Sequence, residues 1–224
     1  MKTPNLYEIS AGLSKAGIDI NFGPDVSRLV IQIWRLLAEG RPISLEQVEQ
    51  IAAHLQIPHN TLTAFQSKYK AGFEFNTEGN IVGWAGLSLN PHHSYRFQAN
   101  DHLLFAWCGW DTLFLPPILK QTAVVESACP ATAKKIRLTI TPEGVELYEP
   151  TSAVISIIIP KTNILESGSA EGVWLAFCNH VHIFSSPEAA SEWFLGKDEE
   201  PIILSIEEGY QLGRIRFEEN LKYA

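Results

Sequence analysis

The chain reads as an α+β protein: a winged-helix-like module of three N-terminal helices packed on a mostly antiparallel sheet domain with inserted and C-terminal helices. Three observations predict this. Residues 25–69 hold three segments with apolar residues at helical spacing. From about residue 90 the texture changes to short β-branched and aromatic runs separated by turn residues. Helical patterns return at 185–196 and 207–223. The change of texture divides the chain into residues 1–88 and 89–224.

In DVSRLVIQIWRLLAEG (25–40), Val26, Leu29, Val30, Ile33, Trp34 and Leu37 share one helical face, and Gly40 stands where a C-terminal cap belongs. RPISLEQVEQIAAHL (41–55) carries Ser44 and Gln47 at capping-box spacing. A third helix starts near Pro58, because a first turn tolerates a missing N–H. FEFNTEGNIVGWAGLSL (73–89) reads as two strands around a Glu-Gly-Asn turn. A DNA-reading helix needs polar groups for bases and cations for phosphates. The third helix offers only Lys68 and Lys70 near its end, so a scaffold that packs on the rest is expected.

Beyond residue 90, HSYRFQ, AVVESA, KKIRLTIT, GVELYEP and AVISIIIP read as strands, with a hairpin turn at the Pro-Glu-Gly of TPEGVE. GVWLAFCNHVHIFSS (172–186) reads as another long strand. Ser186 and Pro187 then cap and open a helix, PIILSI is a last strand, and residues 207–223 form the C-terminal helix.

Composition narrows the function. A chain of 224 residues with 46% hydrophobic and 19% charged residues can bury a substantial core and is not of disordered type. Its apolar runs fall far short of the roughly 20 residues that a membrane span requires. The Met-Lys-Thr-Pro start lacks the apolar stretch of a secretory signal, so a cytoplasmic protein is expected. A formal charge of −8 argues against a broad nucleic-acid surface. Cys108, Cys129 and Cys178 are odd in number and widely spaced, matching neither a disulfide framework nor a zinc knuckle.

FAWCGWDTLFLP (105–116) places a thiol and a carboxylate in one of the most apolar stretches of the chain. Burying a carboxylate is costly without a partner. Asp111 can cap a helix or sit in its first turn, which puts Cys108 near the helix N-terminus, a position that favours thiolate. Buried among Trp107, Trp110 and Phe114, Asp111 would instead hold its proton more tightly and could give it back. In AFCNHVHIF, strand alternation puts Cys178, His180 and His182 on one face. They would span about 13 Å, too far to close on one zinc or copper ion. The His92–His93 pair reads as a loop or strand edge, and the local pattern around Cys129 leaves a binding role and a structural free thiol both open.

FAWCGWDTLFLP, followed about 70 residues later by FCNHVHIFSS, resembles the organomercurial lyase (alkylmercury lyase) family. That family carries A-W-C-x-x-D-T-L and then F-C-x-H-V-x-F-F-x-S. LAEGRPIS, TEGNIVGWAGLSLNPHHSYRF and TAVVESACPATAKKIRLTITP extend the resemblance over roughly residues 25–215. It implies that Cys108 and Cys178 are mercury-binding thiols and Asp111 a proton-relay carboxylate available as a third ligand. It further implies that Trp107 lines the substrate pocket and Cys129 is structural. Two positions depart from the family pattern: Asn179 where many members have a second cysteine, and Trp174 where some have arginine.

The implied reaction is protonolysis of a carbon–mercury bond, giving a hydrocarbon and Hg(II). Soft mercury selects thiolates, and the leaving carbon needs a proton that a nearby acid can deliver. No resident cofactor is expected, since mercury is substrate and product and external low-molecular-weight thiols complete turnover. The expected partners are an organomercurial, such thiols and a mercuric reductase, with no nucleic acid and no membrane. A rival reading is a thiol-based Hg(II)- or copper-binding protein of the same fold that breaks no bond. A second rival is a metal-responsive transcription regulator using the winged helix, which the acidic charge and cation-poor third helix disfavour. Paired thiols that share one metal lie within about 5 Å of each other, so the separation of Cys108 and Cys178 is the decisive distance.

Overall fold

The computed structural model describes residues 5–18, 23–198 and 200–224, so the Met1–Pro4 start lies outside the described residues. The chain begins with α1 (Leu6–Lys15), α2 (Gly23–Ala38), α3 (Leu45–His54) and α4 (His59–Lys68). The first of these is absent from the sequence expectation; it is nucleated by Asn5, whose side chain accepts from the N–H groups of Tyr7 and Glu8. The capping box of α3 forms as its spacing predicts, with Ser44 and Gln47 bonded reciprocally. Pro58 is the N-cap of α4 and sits just outside its first turn.

Strands β1 (Phe73–Phe75), β2 (Ile81–Trp84), β3 (Leu87–Ser88), β4 (Tyr95–Ala99) and β5 (His102–Ala106) follow, then α5 (Asp111–Leu119). Next come β6 (Ala123–Ala128), β7 (Lys135–Ile140), β8 (Val145–Glu149), β9 (Val154–Ile157), α6 (Ala170–Ala176) and β10 (Ile183–Phe184). The chain closes with α7 (Pro187–Phe194), β11 (Ile202–Ser205), α8 (Ile206–Arg216) and α9 (Glu218–Leu221). The first eight strands make one antiparallel sheet in the order β1-β2-β3-β5-β4-β6-β7-β8. The other three form a small antiparallel sheet with β9 central. The α+β class and the dominant antiparallel sheet are as the sequence predicts. Residues Leu87 and Ser88 pair directly with Ala106 and Phe105, which joins the N-terminal hairpin to the strand leading into Cys108.

Residues 172–186 are not a long strand: α6 and a 3-10 turn over Cys178–His180 precede the two-residue β10. A nearly continuous apolar run does not distinguish a buried strand from a buried helix. The helix is started by Ser169, whose hydroxyl accepts from the Gly172 N–H at 3.1 Å.

Helix α5 lies at the centre, with all nine residues buried. Phe114 stacks on Phe217 at 4.3 Å, Phe217 packs edge-on against Trp34 of α2, and Trp34 donates to the Trp84 carbonyl at 3.1 Å. From the other side, the Trp110 indole donates to the Gly209 carbonyl of α8 at 3.1 Å. Helices from both ends of the chain thus clamp α5, and its N-terminus is where the reactive side chains gather. Among the described residues, no helix is long and apolar enough to cross a membrane.

Candidate active site

Cys108 ends the run from β5 into α5, and Asp111 is the first helical residue. Asp111 is not a cap: its Oδ2 turns back to accept the Cys108 backbone N–H at 2.7 Å. Thr112 closes the same turn by donating to the Gly109 carbonyl at 2.7 Å. Cys178 arrives from the opposite side, at the end of α6. Sulfur atoms of Cys108 and Cys178 and a carboxylate oxygen of Asp111 all lie within 4.8 Å of one another, and all three residues are buried. The Cys108 thiol is in hydrogen-bonding contact with both Cys178 and Asp111.

Backbone contacts hold the two segments together. The Gly109 N–H donates to the Val181 carbonyl at 3.1 Å. A Cβ on Gly109 would come within 2.8 Å of the Ile183 side chain and 3.3 Å of the His182 backbone, so a side chain there would separate the segments. Fully buried Ser156 donates to the His180 carbonyl and accepts from the His182 N–H, both at 3.0 Å. The Tyr95 hydroxyl accepts from the Ile183 N–H at 3.1 Å. Trp174 donates from its indole to the Trp107 carbonyl at 3.2 Å, tying α6 to the Cys108 strand. None of Gly109, Ser156 and Tyr95 carries a sequence signal of its function, because each acts on backbone brought in from elsewhere.

Burial governs the protonation of the group. Desolvation lifts Asp111 to about 6, against hydrogen bonds from the Cys108 thiol and N–H that favour its charged form. Desolvation, reinforced by the neighbouring Cys178 and Asp111, holds the Cys108 thiol well above the ordinary range. The hydrogen bond from Cys108 favours a thiolate at Cys178, yet burial and the Asp111 charge outweigh it and the thiol is raised. The expectation that the helix N-terminus makes Cys108 a thiolate is therefore overturned. Removal from water dominates the helix dipole, whose first turn already holds Asp111.

Cys178, His180 and His182 do not converge. The half-buried His180 ring contacts the Leu175 carbonyl at 3.1 Å. His182 packs edge-on against Trp193 and Phe184, with burial pulling its pKa down to about 4. Cys129 lies apart from the triad, buried at the β6–β7 turn. Its burial raises the pKa, but hydrogen bonds from Thr132 and Ser185 outweigh this and bring it to about 7.

Two cavities meet at this place. One of about 100 Å³ is lined by Tyr69, Trp84, Trp107, Trp110, Asp111, Phe114, Phe177, Cys178 and Phe217, with almost wholly apolar walls. The other, about 710 Å³, shares Trp107 and Cys178 with the first and adds Glu74, Asn90, His92, His93, Trp174, Asn179 and His182. Glu74, His92 and His93 form a second cluster whose ligand atoms lie within 4.8 Å of one another. Glu74 carries no local sequence signal, because it sits 19 residues from His93 and only the fold brings the two together.

The sequence profile of alkylmercury lyase matches residues 87–218. An alkylmercury lyase from Staphylococcus epidermidis is 36% identical over 96% of this chain and 94% of its own length. One from Streptomyces lividans is 37% identical over 81% of this chain and 80% of its own. One from Bacillus cereus is 32% identical over 98% of this chain and 95% of its own. Among solved structures, the mercury-bound form of MerB2 superposes with a TM-score of 0.70 at 19% identity, covering 96% of this chain and 99% of that one, which shows a shared fold. With that profile and relatives of this identity spanning nearly its whole length, the chain belongs to the alkylmercury lyase family, a family of enzymes.

Proposed function

We propose that this protein cleaves the carbon–mercury bond of alkyl or aryl mercurials by protonolysis, with Cys108 and Cys178 as mercury ligands and Asp111 as proton carrier. The observation that best supports this is the three ligand atoms lying within 4.8 Å of one another in a buried, largely apolar setting. That spacing suits a two-coordinate dithiolate, and a carboxylate beside it has no task in simple binding.

The chemistry follows from the protonation states. Both thiols hold their protons in the free protein, because burial and the Asp111 charge outweigh the hydrogen bonds that favour a thiolate. An arriving R–Hg⁺ cation supplies the compensation and displaces the proton from the first sulfur. The second thiol passes its proton to Asp111, whose pKa of about 6 makes it an acceptor that can return the proton. The second sulfur now bonds to mercury and pushes electron density onto the carbon. Asp111 protonates that carbon as the carbon–mercury bond breaks. The net change is R–Hg⁺ plus two thiols giving RH, a protein dithiolate of Hg(II) and one released proton. The walls of the smaller cavity suit a methyl or phenyl group and keep out competing water.

In this reading there is no resident cofactor; external thiols remove Hg(II), and a mercuric reductase is the natural acceptor. The setting is cytoplasmic, where thiols remain reduced. Helices α2–α4 with the β1–β2 hairpin are read as a winged-helix-like scaffold that supports α5 and does not bind nucleic acid. Phenylmercury incubated with the protein and excess thiol should release benzene, detected by gas chromatography, and Asp111→Ala should abolish the release. Retention of mercury with no hydrocarbon would instead identify a metal-binding protein.

A further inference from the structure

Cys178 and Trp107 form a wall common to two cavities, so the thiol assigned to mercury above faces almost wholly apolar walls on one side and a mixed lining with titratable groups on the other. The mechanism above uses only the apolar side. On the polar side stands a hydrogen-bonded group that it leaves unemployed.

The Glu74 carboxylate, on β1, accepts from the Ser88 hydroxyl at 2.5 Å and the Asn90 amide at 2.9 Å, and it meets His93 Nε2 at 2.8 Å. Both side chains of the pair are largely buried, at 12% and 6% exposure. Burial favours the neutral carboxyl, but the hydrogen bonds from His93, Ser88 and Asn90 outweigh it and hold Glu74 ionised. An ionised carboxylate fixes the Nε2–H tautomer of the imidazole, which leaves Nδ1 with its lone pair as the nitrogen that can take a proton. The His93 ring lies over the Trp107 ring at 6.3 Å and 26°. The Trp107 indole N–H is buried and has no hydrogen-bond partner among the described residues.

We propose that the Glu74–His93 pair is the base that activates an external thiol in the polar cavity, so that this thiol takes Hg(II) from Cys178. The cavity, at about 710 Å³, is within the size range of small-molecule sites and fits a thiol as large as a short peptide. His93 acts on the reacting thiol, and Glu74 positions His93. The inference rests on the lyase reading for the identity of the ion held between the two cysteines.

The step balances without an oxidant. His93 takes the proton of the entering thiol, and the resulting thiolate bonds to mercury. The bond from mercury to Cys178 breaks, and the Cys178 sulfur receives the proton from His93. A second thiol repeats the exchange at Cys108. One protein-bound Hg(II) and two external thiols therefore become two protein thiols and one Hg(II) dithiolate in solution.

The test loads the wild type with one equivalent of Hg(II) and follows its transfer, by stopped flow, to two thiols. One is 2-mercaptoethanol, mostly protonated at the assay pH; the other is an aryl thiol already ionised there. His93→Gln should slow transfer to 2-mercaptoethanol by about 100-fold or more, the lower end of what a positioned base contributes. Transfer to the aryl thiolate should be nearly unaffected, since it has no proton to lose. Glu74→Gln, which keeps the shape of the group, should show the same selectivity with a smaller effect. Equal slowing with both thiols, or no slowing with either, overturns the proposal. The lyase reading has its own readout: absence of benzene from phenylmercury defeats that reading whatever the transfer rates are.

Discussion

A Cβ on Gly86 would lie 2.6 Å from the carboxyl carbon of Asp111. The same glycine, at φ +99°, accepts the Trp107 N–H through its carbonyl at 2.9 Å. The short connection between β2 and β3 therefore both anchors the strand before Cys108 and leaves the volume that the carboxylate occupies.

Gly86→Ala should consequently act twice. The strained backbone should cost about 1–3 kcal/mol of stability, read from urea unfolding. Displacement of Asp111 should lower benzene release by about 100-fold, the scale of a misplacement near 1 Å. Wild-type turnover in a folded Gly86→Ala protein would show that the carboxylate position is not what limits the reaction.

Asp111→Asn should separate activity from stability. Burial raises Asp111 from 3.8 in the unfolded chain to about 6 in the folded protein. Such a group favours the fold fully below pH 4 and loses that contribution as pH rises through about 6, leaving a buried charge to be borne at neutral pH. The amide removes that cost, so the variant should be more stable at pH 7.5 by up to about 3 kcal/mol, two pKa units of linkage. The difference should vanish at pH 4, while turnover is lost at both. Urea midpoints at the two pH values measure it; a variant less stable at pH 7.5 contradicts the assigned protonation.

Cys108→Ser and Cys178→Ser should each leave mercury with a single thiolate. Either variant should surrender Hg(II) at a lower external-thiol concentration than the wild type requires, as equilibrium dialysis would show. Equal retention by one of them would remove that cysteine from the ligand pair.

Cys129→Ser should release benzene at the wild-type rate. Although its hydrogen bonds bring Cys129 to about 7, its turn lies outside the cluster formed by the other two cysteines and Asp111. A turnover defect without a stability defect would place this thiol in the reaction.

Trp174→Phe keeps an aromatic side chain but removes the indole N–H that bonds the Trp107 carbonyl. It should cost about 1 kcal/mol in thermal or urea unfolding. An undiminished stability would mean that α6 is held to the Cys108 strand by packing alone.

Much of the fold is legible from local pattern. The capping box at Ser44, the face of α2 and the hairpin around Pro142–Gly144 each depend on residues a few positions apart. The errors arise where two local readings compete. Residues 170–186 are apolar enough for a strand and spaced well enough for a helix, and the buried Val173 and Phe177 satisfy the helix. The Glu74–His93 pair escapes notice for a different reason: the two residues approach only after the strands of the large sheet align.

The sequence by itself determined which reagents are present: two thiols and one acid in apolar segments, in a motif pattern shared with one enzyme family. Tertiary structure alone decided their distances and protonation. Proximity between Cys108 and Cys178 depends on the bond from Gly109 to Val181 and on the bare face of Gly109, contacts across about 70 residues of chain. Whether a thiol or carboxyl keeps its proton depends on how much water the surrounding fold removes, a property of the packed neighbours that no local motif contains.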